Sequence, residues 1–393
     1  MSSKVDSEII QLFEQYKKNL KNKDIEDEDK RLNKLFKDNK LFKEIINKLH
    51  LNYPGFTNDD LKQELNSLFK KYKTIFIDQK IVRNWKKQLI AKNQQEFTYY
   101  LPVLNAVSDN NLKINDNIYF IHNSYLKNCN IQWDDHESQN YYDDYINLCP
   151  FLLAVRENGV GNEITLNAAL NKGKLFTDLI NVLNTSTLPC KLLLNTVPYT
   201  NRKDDLIVES MPLYQSKEGV GFYTTLRLRL PYKVSNREID NFIFIFDDKN
   251  SSKNLQIKNA IKWLGESKLD NDIKGKFFKA MIALESIMEV DPKNNFGFSI
   301  TEQISTMAAI IVEDDISKRK SIKIKIKKEY TNRSSLVHGE NANISEDDYD
   351  FVFKLVRALI KNIVNNTLYQ KYESIEDIWQ KIVQQIILKD FDL

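Results

Sequence analysis

The last third of the chain is patterned as helix almost without a break, and this constrains the fold more than any other feature. Apolar residues recur at helical spacing in Phe277, Met281, Leu284 and Met288, then in Phe351, Leu355, Leu359 and Ile363, and again in Ile375, Ile378, Trp379, Ile382 and Ile386. Helices are expected over about 256–264, 271–290, 299–312, 316–338, 346–368 and 373–389. Ser299 with Glu302, and Ser345 with Asp348, have the N-cap and N3 spacing at which a hydroxyl and a carboxylate satisfy the orphan amides of a helix start. Successive helices that each carry one apolar face pack as an antiparallel bundle, expected here over 255–393.

Upstream the pattern changes. Phe97–Leu104, Asn117–Ile121, Phe151–Val155, Cys190–Leu194 and Phe242–Phe246 are short runs rich in apolar and aromatic residues, expected as strands. Between them Thr165 opens a helical pattern through Ala168, Leu175, Leu179 and Leu183. Residues 1–95 read as charged helices, with Ile9, Ile10, Phe13 and Tyr16 on one stripe and Thr57 or Asn58 placed to cap the segment carrying Leu61, Leu65 and Leu68. The expected fold class is therefore α+β, with an N-terminal helical segment (1–95), a central mixed α/β domain (96–250) and a C-terminal antiparallel helical bundle. Asp247–Lys253 is the expected linker. Gly159-Val-Gly161 and Gly219-Val-Gly221 open no convincing helix and are read as turns rather than phosphate loops.

Charge and cysteine content narrow the function classes. The 393 residues carry 57 Lys and Arg against 54 Asp and Glu, so the chain as a whole is not a basic nucleic-acid binder and any basic surface must be local. Cys129, Cys149 and Cys190 fit neither a disulfide framework nor a zinc site. No signal peptide or membrane span is read, which makes a cytoplasmic protein the expectation. In Phe222–Lys233, alternation places Tyr223, Arg227, Arg229 and Lys233 on one face, a candidate nucleic-acid-binding surface that is equally the wet face of an ordinary strand. Asp134-Asp-His-Glu137 is read as a polar loop, and no metal site or cofactor is expected.

The stretch with chemical content is Tyr330-Thr-Asn-Arg-Ser-Ser-Leu-Val-His-Gly339. Ile322, Ile326, Tyr330, Arg333 and Val337 form one helical stripe, so Arg333 takes an apolar position on the inward face. The alternation Ile322-Lys-Ile-Lys-Ile326 also fits a strand, but the longer stripe favours helix. Glu285 lies on the face of Phe277, Met281 and Leu284, and a charge there is costly unless paired. A meeting of Glu285 with Arg333 resolves both. His338 falls in the last turn, with Gly339 as the residue that ends the helix. Five residues rotate a helix by about 140°, so Arg333 and His338 do not point the same way.

Phe278-Lys-Ala-Met-Ile-Ala-Leu-Glu-Ser-Ile-Met288, the segment from Gln303 to Ile311, and Lys328-Glu-Tyr-Thr-Asn-Arg-Ser-Ser-Leu-Val-His-Gly339 together resemble the HEPN superfamily, in particular its Apea-like branch. The resemblance covers about residues 270–368. The superfamily motif, an arginine followed after four to six residues by histidine, is matched by Arg333 and His338, and Ser334 stands where many members carry Asn, Asp or His. The resemblance implies a HEPN-like bundle and a metal-independent endoribonuclease that acts as a homodimer on RNA. It also implies a toxin or antiphage-defence (abortive infection) effector, restrained by an antitoxin or released by a phage-derived trigger. The implied site has His338 as general acid/base, Arg333 as phosphate-stabilising group, Glu285 as its orienter, and Ser334 and Asn332 as phosphate-binding or positioning groups. The alternative is a non-catalytic HEPN module for dimerisation or RNA binding. One chain offers one histidine and one arginine, whereas two copies across a two-fold axis offer two of each.

Overall fold

The computed structural model describes residues 2–20, 39–72, 77–128, 131–133, 149–160, 163–184, 189–192, 196–200, 206–210, 231–247, 250–291, 297–339 and 342–387. Helices α1 (Ser2–Leu20), α2 (Lys40–Asn52), α3 (Asn58–Lys71) and α4 (Gln79–Asn93) come first. Thr57 caps α3 in a reciprocal box with Asp60. The apolar stripes of these helices meet in a core of their own, where the rings of Phe13, Tyr16 and Phe69 touch. The buried Asp6 carboxylate in this unit is paired with Lys86 at 2.8 Å.

A sheet follows directly. β1 (Gln95–Leu104) pairs antiparallel with β6 (Phe151–Gly159) on one side and β8 (Thr196–Thr200) on the other. With β3 (Leu112–Asn115), β4 (Ile118–His122), β5 (Ile131–Trp133) and β9 (Leu206–Ser210), the strand order is β3-β4-β6-β1-β8-β9-β5, and β7 (Lys191–Leu192) pairs with the end of β1. β5 and β9 run parallel. β2 (Ala106–Val107) and β10 (Tyr232–Lys233) make a separate parallel pair. Helix α5 (Glu163–Leu183) lies on this sheet and is buried almost throughout its second half.

Two sequence expectations are corrected here. Phe242–Phe246 is not a strand: after α6 (Asn236–Ile239) it forms a 3-10 helix, Asp240–Phe246, with Phe242, Ile245 and Phe246 buried at three- and four-residue spacing. A short apolar run fits either period, and helical packing wins here. Gly159 ends β6 only four residues before α5 opens at Glu163, so the first Gly-Val-Gly does lie between a strand and a helix. Of the run expected as a strand over Cys190–Leu194, Lys191–Leu192 pairs and 193–195 lie outside the described residues, as does 219–221.

The helices of the last third are α7 (Ser252–Leu269), α8 (Ile273–Met288), α9 (Ile300–Val312), α10 (Ile316–Val337), α11 (Glu346–Asn365), α12 (Thr367–Gln370) and α13 (Ile375–Ile387). Six of these overlap the helices expected from periodicity, but α7 runs four residues earlier and five later than the expected 256–264, and α12 is not expected as a separate helix; Ile322–Ile326 is helix. Ser345 and Asp348 form a full capping box, whereas Ser299 caps α9 alone because the Glu302 carboxylate turns to Lys323 and Lys327. Lys253, expected in a linker, sits in the first turn of α7. Its buried ammonium donates to the carbonyls of Tyr369, Gln370 and Tyr372. The chain is α+β, mostly helical, with a mainly antiparallel sheet. Among the described residues no helix is long and apolar enough to cross a membrane.

One hydrophobic core includes Phe97 of β1, Phe176 of α5, Ile261 of α7 and Trp379 of α13, so the expected division near residue 250 does not interrupt the packing. The join is the crossing of α5 and α7. A Cβ added to Gly265 would stand 2.4 Å from the Cα of Asp178, so only glycine permits this approach. At the C-terminal end of α5, Lys268 donates to the Asn184 carbonyl at 2.6 Å and Arg357 to the Leu183 carbonyl at 2.9 Å, two cations meeting the negative end of the helix dipole. Asn181 brackets Cys190 with two hydrogen bonds and ties β7 to the same helix.

Two predictions come from this crossing. Gly265→Ala forces a side chain against backbone and should cost on the order of 1–3 kcal/mol in urea unfolding; an unchanged midpoint would show that the crossing gives way. Asp178, buried beside Gly265, has its carboxyl pushed well above the carboxylate range by burial and then by Glu266, against the pull of Lys262 and Lys174. The folded chain thus keeps a proton that the unfolded chain releases above about pH 4, and this group makes stability fall as pH rises from there towards its raised pKa. Asp178→Asn should raise the urea midpoint at pH 7 and flatten its decline between about pH 4 and 7. A lower midpoint would contradict the assignment.

Candidate active site

Helix α10 starts at Asp315, whose carboxylate accepts from the Lys318 amide at 2.9 Å. Ile326 is buried and Ile322, Tyr330 and Arg333 are half-buried on the inward face, as their spacing requires. Val337 departs from the expected stripe: it is 52% exposed, because the helix end extends past its neighbours. With Leu336 it lines a shallow open groove against Lys274, Gly275 and Phe278 of α8.

Arg333 donates from Nη2 to Glu285 Oε2 at 3.1 Å, and its guanidinium carbon stands 5.9 Å from the centre of the Phe278 ring. Charge and ring hold the group from two sides. Both side chains of the ion pair are about a third exposed (30% and 29%), so water screens it and its stabilising effect is about 0–1 kcal/mol; its role is orientation. Burial pushes the Glu285 carboxyl up; the charge and hydrogen bond of Arg333 oppose this, and Glu289 adds to it. Arg333 Nε and the Tyr330 hydroxyl are buried without an acceptor. Burial, and then Glu285, push the Tyr330 phenol far above its ordinary value against the influence of Arg333, so it remains a neutral donor.

His338 caps α10. Its amide donates to the Ser334 carbonyl at 3.0 Å, and the Gly339 amide donates to that of Leu336 at 3.3 Å. Gly339 has φ +73°, the left-handed conformation that ends a helix and favours glycine. His338 and Ser334 are exposed, whereas Arg333 turns inward, so the opposition expected from the helical rotation is seen. Among the described residues no hydrogen bond or ion pair joins Arg333 to His338.

Asn332 is engaged within α10. Its amide donates to Glu329 Oε2 at 2.8 Å. Glu329 is fully buried; burial pushes its carboxyl up, the Asn332 bond opposes this, and Asp348 adds to it while Lys328 subtracts. Burial would likewise raise Asp348, but Ser345 and Lys328 hold its carboxyl far below the usual range. Asn332 thus belongs to the contact that docks α10 on the capped start of α11.

Tyr223, Arg227 and Arg229 of the expected basic strand lie outside the described residues; Tyr232–Lys233, within the described part of that run, is strand. Lys233 is paired with Asp109 at 2.6 Å, which occupies its charge. Asp134–Glu137 also lies outside the described residues. Cys149 and Cys190 are buried free thiols, pushed up by burial.

Reading by periodicity missed two features. Tyr330 counted only as an apolar stripe residue, though its hydroxyl lies within the electrostatic reach of Glu285 and Arg333. The eight cations of α10 (Lys318, Arg319, Lys320, Lys323, Lys325, Lys327, Lys328 and Arg333) stand against Glu329 alone, a contrast that a charge count over 316–337 exposes.

Tyr330→Phe removes only a hydroxyl that lacks an acceptor. Unfolding in urea should show equal or higher stability, within about 1 kcal/mol; a larger loss would reveal a partner for the hydroxyl.

Comparison of the chain with family models, with curated proteins and with solved structures finds no match in any of the three.

Proposed function

We propose that the chain is a HEPN-type endoribonuclease, acting as a homodimer and serving as a toxin or antiphage-defence effector. The observation that carries this reading is the guanidinium of Arg333, held by Glu285 at 3.1 Å beside the Phe278 ring, in the same helix end that presents His338 to solvent. In the proposed reaction the ribose 2′ oxygen attacks the adjacent phosphorus. A P–O2′ bond forms, the P–O5′ bond breaks, and the products are a 2′,3′-cyclic phosphate and a 5′-hydroxyl. A base takes the 2′-hydroxyl proton and an acid gives a proton to O5′, roles that fit imidazole near neutral pH. Arg333 stabilises the charge that builds on the phosphorane oxygens. Ser334, exposed one turn before His338, is placed to donate to phosphate.

Within one chain Arg333 and His338 lie on opposite sides of α10. A second copy therefore completes the site by supplying the other acid or base. The same opposition favours the second reading, a non-catalytic HEPN module in which the two residues bind phosphate or support dimerisation.

Purified chain incubated with single-stranded RNA in EDTA should leave 2′,3′-cyclic phosphate ends. His338→Ala should lose on the order of 100-fold or more in rate while its urea midpoint stays near that of the wild type. Equal cleavage by the two proteins removes His338 from the chemistry; dimerisation and RNA binding without any product select the non-catalytic reading.

A further inference from the structure

We infer that the exposed face of α10 is the track along which a single RNA strand reaches His338. This rests on the ribonuclease reading for its ligand and adds where that ligand lies. The chain carries a net charge of +3 while the 22 residues of α10 carry eight cations and one anion, so the rest of the molecule is net acidic. Positive charge is therefore concentrated in the one helix that ends at the candidate site. A local concentration of this kind is the electrostatic footprint of a nucleic-acid contact.

The cations divide by direction. Inward and sideways, Arg333 is taken by Glu285, Lys323 and Lys327 by Glu302, Arg319 by the Glu313 carbonyl, Lys318 by Glu313 at 3.9 Å and Lys325 by the Phe351 ring. Outward, Lys320 makes no ion pair with a described residue, and the Lys328 side chain is 60% exposed despite its bond to Asp348. Lys320, Ile324, Lys328, Thr331, Ser334 and His338 follow one another at three- and four-residue steps, which places them on a single face. At 1.5 Å per residue the face runs about 27 Å from Lys320 to His338, enough for several nucleotides. The ammonium groups of Lys320 and Lys328 would meet phosphates, and the Ser334 hydroxyl would supply a shorter bond near the histidine.

A basic helix can also lie on an anionic bilayer, but that needs a continuous apolar face turned outward. Here Ile322, Ile326 and Tyr330 pack against the core. Ile324, 69% exposed, stands alone in the middle of the outward stripe. The pattern favours a polyanion with a regular charge repeat.

The test measures binding of the full-length protein to a labelled 2′-O-methyl single strand of about 12 nucleotides, which lacks the attacking hydroxyl and so separates binding from cleavage. Lys320→Glu combined with Ile324→Glu places two carboxylates on the track without breaking an ion pair. Affinity should fall about tenfold or more, and the log–log salt slope should become shallower by about 0.7 for each phosphate that is no longer neutralised. The milder Lys320→Gln, Ile324→Gln pair should follow in the same direction. Lys87→Glu, exposed on α4, should leave binding unchanged. Wild-type affinity in both double variants overturns the inference, as does an equal drop in Lys87→Glu. Binding to phosphatidylserine vesicles that depends on Lys320 and Ile324, with RNA binding that does not, also overturns it and assigns the face to a membrane. RNA binding through this face with no cleavage of natural RNA leaves the track standing and removes the ribonuclease reading.

Discussion

The structure depends on the contact between α5 and α7. The sheet alone has α5 on it, and the bundle alone has α7 within it. Because Gly265 lets the two helices approach to backbone contact, their apolar residues join into one core. Lys268 and Arg357 then close the end of α5 with bonds that a shallower crossing would leave out of reach. The N-terminal helices keep their own core and take no part in this join. The sheet and the helices that carry Glu285 and Arg333 thus share one continuous set of packed side chains.

The bundle handles its inward charges by local pairing. Arg333 meets Glu285, Glu329 meets Asn332, and Lys253 meets three carbonyls. Each of these groups finds at least one partner on a neighbouring turn or helix, although Glu329 keeps one buried oxygen without a hydrogen bond. Arg333 is nevertheless incompletely satisfied, because its Nε has no acceptor while the Tyr330 hydroxyl lies nearby in the same condition. A structural ion pair alone would not need two such donors.

Legibility of the sequence followed the strength of its period. The longer helices from α8 to α11 repeat an apolar position every three or four residues over several turns, and Ser299 and Ser345 mark two of their starts, so their existence could be read, whereas the limits of α7 and the single turn of α12 could not. Phe242–Phe246 is five residues of apolar run, too short for any period to show, and it became a 3-10 turn. The pairing of Glu285 with Arg333 was legible because a charge on an apolar stripe demands a partner. The commitment of Asn332 to Glu329 was not, since a polar residue beside a motif can face either way and only the docking of α10 on α11 decides. The basic face of α10 was hidden by averaging: a balanced total conceals a helix that is cationic throughout.

Gly339 adds a point about handedness. A Cβ placed there would touch nothing within 4 Å, so the position is not reserved for glycine by crowding. What excludes other residues is the sign of φ, +73°, which ordinary side chains adopt only at a cost. The end of α10, and with it the direction in which His338 is presented, is therefore set by chirality rather than by packing. A D-alanine introduced at this position by chemical ligation would suit the bend better than an L-alanine of identical size, although the two differ by nothing but a mirror reflection.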